Sequence, residues 1–282
     1  MPELPEVETI VRELRPRLLG LRIARIRVGK KALRRSLGIN RMHHLTGKRI
    51  INLSRRGKWI VIRFEKDIIL LFHLGMTGQL TVVPNEQPAL PHTHLIAELE
   101  TRSRLPPGDG LQLRFRDIRR FGCIMLFPNE SELNGFFKSS QLGPEPFGMK
   151  PGYWRACLAR TRRRLKALLL DQRVLAGVGN IYSDEALFEA RLHPNRTGRT
   201  VHSQEADRLR RAIMTVLNRA IKKRGSSIRD YVSGNGRPGE YQDEFRVYGR
   251  AGEPCPRCRR PIRRIRLAGR STHYCPGCQR QS

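Results

Sequence analysis

Apolar positions change their spacing along this chain, and the changes mark different architectures. Val7, Ile10, Val11, Leu14 and Leu18 recur at helical spacing, which predicts a helix with one buried face directly behind the N-terminus. Pro5 suits its first turn and Gly20 its end. The first turn leaves N–H groups unpaired in any case, and glycine accepts the left-handed backbone that stops a helix. Segments 22–28, 48–53, 58–64, 67–74, 79–83, 94–100 and 111–127 are rich in Ile, Val, Leu and Phe and are broken by Gly, Pro and Asn. Strands in series of this kind predict a sandwich or barrel. Residues 128–152 lose periodicity and carry Pro-Asn-Glu, Gly-Pro-Glu-Pro-Phe-Gly and Lys-Pro-Gly, which predicts a linker. Helical spacing returns at 153–160, 162–170, 181–190 and 203–223, the last with a stripe of Ala206, Leu209, Ile213, Leu217 and Ile221. The expected organisation is α+β, with a β-rich domain over 1–130, a linker over 131–152, a helical domain over 153–246 and a terminal segment over 247–282. A length of 282 residues exceeds what one core usually holds.

Charge narrows the partner. Lys and Arg number 55 against 25 Asp and Glu, for a formal net charge of +30 and a pI near 11.3, an excess that implies a polyanion. A membrane surface is the competing polyanion. The longest apolar run, Ile68 to Phe72, falls far short of the ~20 residues that span a bilayer, and no lipidation signal is present. The N-terminus is acidic and opens on proline, unlike a signal peptide, so a cytoplasmic protein with no membrane association is expected.

Four of the six cysteines sit as Cys255-Pro-Arg-Cys258 and Cys275-Pro-Gly-Cys278, with sixteen residues between the pairs. That spacing matches a tetrahedral site for one structural Zn²⁺, each tight turn aiming two thiolates at the ion. Two disulfides or redox-active dithiols are the alternative, disfavoured in a compartment that keeps thiols reduced. Cys123 and Cys157 lie in apolar contexts and read as core residues. Residues 254–282 hold eight arginines and no acidic residue, which points to phosphate contact. Ala176-Gly177-Val178-Gly179-Asn180 forms a sharp turn able to offer backbone and side-chain amides to an anion at a helix start. Arg162, Arg163, Arg164 and Lys166 lie nearby in sequence. Residues 225–246 are polar and glycine-rich, consistent with a binding loop.

Met1-Pro2-Glu3 carries the candidate chemistry. Removal of Met1 would expose a secondary amine on Pro2, and an α-amino group titrates near pH ~8, leaving a usable neutral fraction at pH 7. Such an amine can form an iminium ion with an electrophilic carbon while the Glu3 carboxyl donates a proton to the departing group.

Together these residues resemble the bacterial formamidopyrimidine-DNA glycosylase (8-oxoguanine DNA glycosylase) family over almost the whole chain. The motifs are Pro-Glu-Leu-Pro-Glu-Val-Glu-Thr (2–9), Arg-Gly-Lys-Trp (56–59), His-Leu-Gly-Met-Thr-Gly (73–78), Asp-Ile-Arg-Arg-Phe-Gly (117–122), Leu-Gly-Pro-Glu-Pro (142–146), Gly-Val-Gly-Asn-Ile-Tyr (177–182) and the cysteine hairpin. The resemblance implies an N-terminal β-sandwich with flanking helices, a helix–two-turn–helix domain, a C-terminal zinc-finger hairpin, and duplex DNA in the cleft between domains, bound by a monomer. It implies a Schiff base on Pro2 with Glu3 as acid, then β,δ-elimination assisted by Lys58 and Arg270. Met76, Arg119 and Phe121 match the wedge that fills the duplex when a base is flipped out, while His92, Arg120, Arg162 and Asn180 match backbone contacts. Ser226, Ser227, Ile228, Arg229 and Tyr231 match the loop over the everted base. Asp230 departs from the family pattern, standing where a hydroxyl residue would repel DNA less. Residues 101–109 are longer than the family's usual connection and read as a surface insertion. Two other readings remain open: an endonuclease VIII-like glycosylase for oxidised pyrimidines, against which Leu4 and Val7-Glu8-Thr9 argue, and a non-catalytic zinc-finger DNA-binding protein, against which Pro2 and Glu3 argue.

Overall fold

A computed structural model describes residues 1–29, 33–100, 110–227 and 231–281. Ile228, Arg229, Asp230 and the 101–109 insertion lie outside the described residues. The chain divides into two compact units, Met1–Ser139 with Arg224–Glu240, and Ser140–Lys223 with Tyr241–Ser282.

The first unit begins with α1, Leu4–Leu18, whose apolar stripe of Val7, Ile10, Val11, Leu14 and Leu18 is buried. A reciprocal capping box starts it: Glu3 accepts the Glu6 N–H on its side chain, and the Glu6 carboxylate accepts the Glu3 N–H at 2.8 Å, satisfying donors that a helix start otherwise leaves orphaned. Gly20 follows in left-handed conformation. Among the described residues, nine strands come next: β1 Arg22–Val28, β2 Arg35–Leu37, β3 Ile50–Arg56, β4 Trp59–Phe64, β5 Ile69–His73, β6 Gly78–Pro84, β7 Thr93–Glu100, β8 Leu111–Asp117 and β9 Cys123–Phe127. They form a four-stranded sheet ordered β1-β7-β8-β6 and a five-stranded sheet ordered β2-β9-β5-β4-β3. Inward side chains of both sheets, such as Leu80, Leu95, Leu113 and Phe115 from one and Ile60, Ile62, Leu70 and Phe72 from the other, share one core with α1. The expected sandwich is therefore present.

Several elements differ from the sequence reading. The segment 111–127 is two strands in different sheets, because the charged run Asp117 to Arg120 cannot continue a buried strand and Arg120 turns the chain at a φ of 56°. β2 was not anticipated: three exposed residues, paired in parallel with β9, carry no periodic signal. The stretch read as a linker opens with a helix, α2, Glu130–Ser139. Its Leu133, Phe136 and Phe137 cover the outer face of the second sheet at Trp59, Val61, Ile69, Leu71 and Phe127. Burial on both faces explains why Ile68 to Phe72 is apolar without alternation.

The second unit contains α3 Pro151–Ala159, α4 Leu165–Leu170, α5 Asn180–Glu189, α6 Ser203–Lys222, and the hairpin β10 Arg263–Leu267 with β11 Arg270–Tyr274. α4 starts later than 162 because the chain at Arg164 still bridges Thr197 in an extended conformation. α5 is buried along nearly its whole length, so its sequence shows little amphipathic contrast. Its Glu185 accepts the N–H groups of Arg246, Val247 and Tyr248, and burial raises its carboxyl above the usual range. The metal hairpin joins α5 through Phe188, Val247, Cys255, Ile262 and Cys275. Among the described residues, no helix is long and apolar enough to cross a membrane.

Candidate functional site

The residues at the start of α1 are enclosed although they precede the helix. Pro2 is buried and Glu3 is 2% exposed, while Met1 is 52% exposed. Glu6, also buried, links this end to the polar loop: its Oε1 accepts the Ser226 N–H at 2.7 Å and the Ser226 hydroxyl at 3.1 Å. Gly225 makes that approach possible: its φ is +75°, and a Cβ there would lie only 2.7 Å from Glu6 Oε1. Ser227 is tied within the same loop, donating to the Tyr231 carbonyl and accepting the Gly239 N–H, both at 2.8 Å. Tyr231 packs into the core and donates its hydroxyl to the Glu6 carbonyl at 3.2 Å.

Lys58 occupies the two-residue turn between β3 and β4, after Gly57 at φ +57°, and is only 6% exposed. His73 ends β5 beside it; it opens the motif 73–78, although the sequence alone gives it no role. Its Nδ1 accepts the Gly75 N–H at 3.1 Å, which leaves the proton of the neutral ring on Nε2. The Trp59 ring meets it edge-on at 4.7 Å. Desolvation first, then the Lys58 and Arg35 charges, lower its pKa to about 4. A histidine at a strand end, immediately before a glycine-flanked methionine loop, was the available signal.

Met76, Arg119 and Phe121 come from two loops pressed against each other. A Cβ on Gly75, whose φ is +59°, would lie 2.5 Å from the Phe121 carbonyl carbon and from the Gly122 nitrogen. The Thr77 hydroxyl accepts the Arg119 N–H at 3.1 Å, and the Arg119 guanidinium lies over the Phe121 ring at 4.6 Å, with Arg34 over the same ring at 4.3 Å. Arg119 and Arg120 are exposed, and Met76 and Phe121 partly so. His92 is exposed with φ 67°, whereas its neighbour His94 is buried and contacts the Asp117 carbonyl at 2.9 Å; the two do not act as a pair.

In the second unit Asn180 opens α5, and its Oδ1 is buried with no hydrogen-bond partner among the described residues. The Gly177 N–H, expected to face an anion, instead donates to Gln172 Oε1 at 2.9 Å. Arg162 is exposed ahead of α4. Lys166, expected near phosphate, is 0% exposed and donates to the Asn180 carbonyl, Ser183 Oγ and Asp184 Oδ1 at 2.9, 2.7 and 2.6 Å. Arg163 pairs with Asp171. Asp171 is held down to about 2, chiefly by its hydrogen bond to Arg173.

Arg270 is exposed at the hairpin tip, directly after Ala268 and Gly269, both at positive φ, the conformation of a tight two-residue turn. At the base of the hairpin the sulfurs of Cys255, Cys258, Cys275 and Cys278 all lie within 4.8 Å of one another. Zinc–sulfur bonds of about 2.3 Å in a tetrahedron require sulfurs about 3.8 Å apart; Cys255 and Cys278 are 3.9 Å apart and Cys258 and Cys275 3.3 Å. Backbone N–H groups of Arg257 and Cys278 point at two of the sulfurs at 3.4 Å, favouring thiolates. The four residues fit one zinc ion.

Models of the formamidopyrimidine-DNA glycosylase N-terminal domain and H2TH domain match residues 1–124 and 142–232, and the zinc finger found in FPG and IleRS matches 252–281. The Heliobacterium modesticaldum formamidopyrimidine-DNA glycosylase is 44% identical, covering 99% of this chain and 100% of the relative. The chain belongs to the formamidopyrimidine-DNA glycosylase family. The enzyme of that name from Desulforamulus reducens is 43% identical over 99% of both chains. A Lactococcus lactis FPG mutant solved with Fapy-dG containing DNA superposes with a TM-score of 0.90 at 36% identity, over 99% of this chain and 100% of that one. The wild-type L. lactis protein solved with oxidised-pyrimidine containing DNA gives a TM-score of 0.88 at 36% identity, with the same coverage.

Proposed function

We propose that this protein is a bifunctional base-excision-repair enzyme, a DNA glycosylase and AP lyase that removes oxidised purines from duplex DNA in the cytoplasm. The observation that carries the reading is the full-length likeness to formamidopyrimidine-DNA glycosylases, including one solved with Fapy-dG containing DNA, in a chain that retains Pro2 and Glu3.

In this reading Met1, which is exposed, is removed and Pro2 becomes a secondary amine. Its nitrogen lone pair forms a bond to the sugar C1′ as the glycosidic bond breaks and the base leaves with the electron pair. The departing base takes up the proton that the Pro2 nitrogen sheds, Glu3 gives its own proton to the sugar ring oxygen, the C1′–O bond of the ring breaks, and the freed nitrogen lone pair forms the iminium. The positive nitrogen acidifies C2′. Loss of a C2′ proton expels the 3′ phosphate, and a second elimination expels the 5′ phosphate. Lys58 donates a proton in the first elimination. Arg270, which stays protonated, orients phosphate in the second. Met76, Arg119 and Phe121 fill the space left by the everted base, and Arg119 hydrogen-bonds the orphaned partner. His92, Arg120, Arg162 and Asn180 hold the backbone, and the Ser226–Ser227 loop faces the flipped base. Cys255, Cys258, Cys275 and Cys278 hold the zinc that shapes the hairpin.

Borohydride trapping on duplexes with 8-oxoguanine opposite cytosine, or with thymine glycol, tests this on protein whose intact mass confirms loss of Met1. Covalent adduct chiefly on the purine lesion is expected. The relative solved with oxidised-pyrimidine containing DNA gives the pyrimidine arm its purpose: adduct chiefly there would establish the endonuclease VIII-like reading, and binding without any adduct a non-catalytic protein.

A further inference from the structure

The proposed DNA-facing residues of the first unit belong to separate loops, yet the hydrogen bonds that hold those loops meet at one buried residue and its Thr77 partner. Asp117 is 0% exposed. One carboxylate oxygen accepts the Thr77 hydroxyl in a short hydrogen bond, and the other accepts the Gly122 N–H at 2.7 Å. Its N–H donates to the His92 carbonyl at 3.0 Å, and its carbonyl meets the ring of His94. The Thr77 hydroxyl, with its hydrogen committed to Asp117, turns a lone pair toward the Arg119 N–H. Met76, Arg119 and Phe121 thus each neighbour or contain a group held in this network, and none of the three contributes its own side chain to it. Gly122 confirms the closeness: a Cβ there would lie 3.0 Å from Asp117 Oδ2 and 2.7 Å from the His73 carbonyl.

We propose that Asp117, acting through Thr77, is the positioning residue that fixes the wedge loops before DNA arrives, and so sets discrimination of the base opposite the lesion. The inference rests on the glycosylase reading above. A buried carboxylate with two donors in fixed directions holds its partners far better than a neutral amide, because charge-assisted bonds are shorter and about twice as strong. Asn at 117 keeps the size but presents NH₂ toward one of two donors, so one loop must let go. Without this anchor the guanidinium of Arg119 still reaches the duplex, but over a range of orientations that no longer favours one opposite base.

The test compares Asp117→Asn and Thr77→Val with wild type on two substrates. One is 8-oxoguanine opposite cytosine and opposite adenine in duplex DNA. The other is a preformed abasic site in single-stranded DNA, which has no opposite base and no hole to fill. Both variants are expected to reduce the cytosine-over-adenine ratio of kcat/KM by about tenfold or more, to retain single-strand lyase activity within about twofold, and Thr77→Ser, which keeps the hydroxyl, is expected to restore the ratio. An unchanged ratio in Thr77→Val, or equal loss on both substrates in a folded variant, overturns the proposal. Should Asp117→Asn fail to fold, the Thr77 pair decides alone. Wild-type protein that processes neither substrate would instead remove the glycosylase reading itself.

Discussion

At the scale of single residues, the reading depends on which groups near Pro2 can hold or give a proton. Glu3 Gln substitution keeps shape and hydrogen bonding but removes the acid. Glu3→Gln is therefore expected to lower 8-oxoguanine release by about 10²–10⁴-fold, with a smaller effect on trapping at a preformed abasic site, where no base needs to leave; equal losses in the two assays would take the acid role from Glu3. His73 makes a separate, pH-dependent statement. Its pKa falls from an ordinary 6.5 to about 4 in the fold, so the folded state holds the ring neutral while the unfolded chain takes up a proton as pH drops below 6.5. Stability from this group is complete above 6.5 and is lost as pH falls toward 4. Chemical denaturation across that window is expected to show a steeper loss in wild type than in His73→Asn, and parallel curves would show that the ring titrates normally.

At the scale of elements, a buried ion pair ties the second unit together. Lys166 on α4 meets Asp184 on α5, and Asp184 Oδ2 in turn accepts the His273 N–H of β11 at 2.8 Å. The Asn180 carbonyl completes the lysine's shell. One cluster thereby fixes the helix start that carries Asn180 and the strand that begins with Arg270. Lys166→Met leaves a carboxylate buried with fewer partners and is expected to cost about 3–5 kcal/mol, read as a lower denaturation midpoint of the second unit. Changing Lys166 and Asp184 together to apolar residues is expected to cost less than Lys166→Met alone. A larger cost for the pair would mean that the ion pair itself, not the stranded charge, supplies the stability. Lys166 also shows where sequence reasoning stops. Four basic residues in 162–166 look alike as text, but Arg162 is exposed while Lys166 is sealed, since only the fold decides which one faces Asp184. The same limit hid α2, whose buried face rests on distant strands, and left 111–127 undivided, where two apolar stretches of similar composition flank a charged turn. What could be read was local: the periodicity of α1, its Pro5 start and Gly20 end, the glycine turns and the cysteine spacing. Asp117 stands in the quoted motif 117–122, but its partners Thr77 and His92 are far from it in sequence, so nothing local marks it as an anchor.

At the scale of the whole molecule, a formal charge of +30 makes affinity for DNA steeply salt-dependent, since each neutralised phosphate releases counterions. Charge alone does not say which arginines make contact. Several are engaged by acids within their own unit, including Arg155 with Asp207, Arg196 with Glu205 and Arg257 with Glu189, and these hold structure. Exposed Arg162 and Arg270 belong to a different class. Neutralising Arg162 is expected to reduce the slope of log Kd against log salt by about 1, with no change for Arg155→Gln. An unchanged slope for Arg162→Gln would remove that residue from the footprint. Zinc connects the two ideas. The hairpin places Arg263, Arg264, Arg266 and Arg270 on a segment whose base is pinned by the four cysteines, so stripping the ion frees positive charge from its geometry without deleting it. Chelation is expected to weaken binding to a lesion-containing duplex while the protein keeps its attraction to nonspecific DNA at low salt, and restored zinc at one ion per chain is expected to recover the difference. Equal loss of both affinities would show that the ion holds up the whole unit and not the aim of the hairpin.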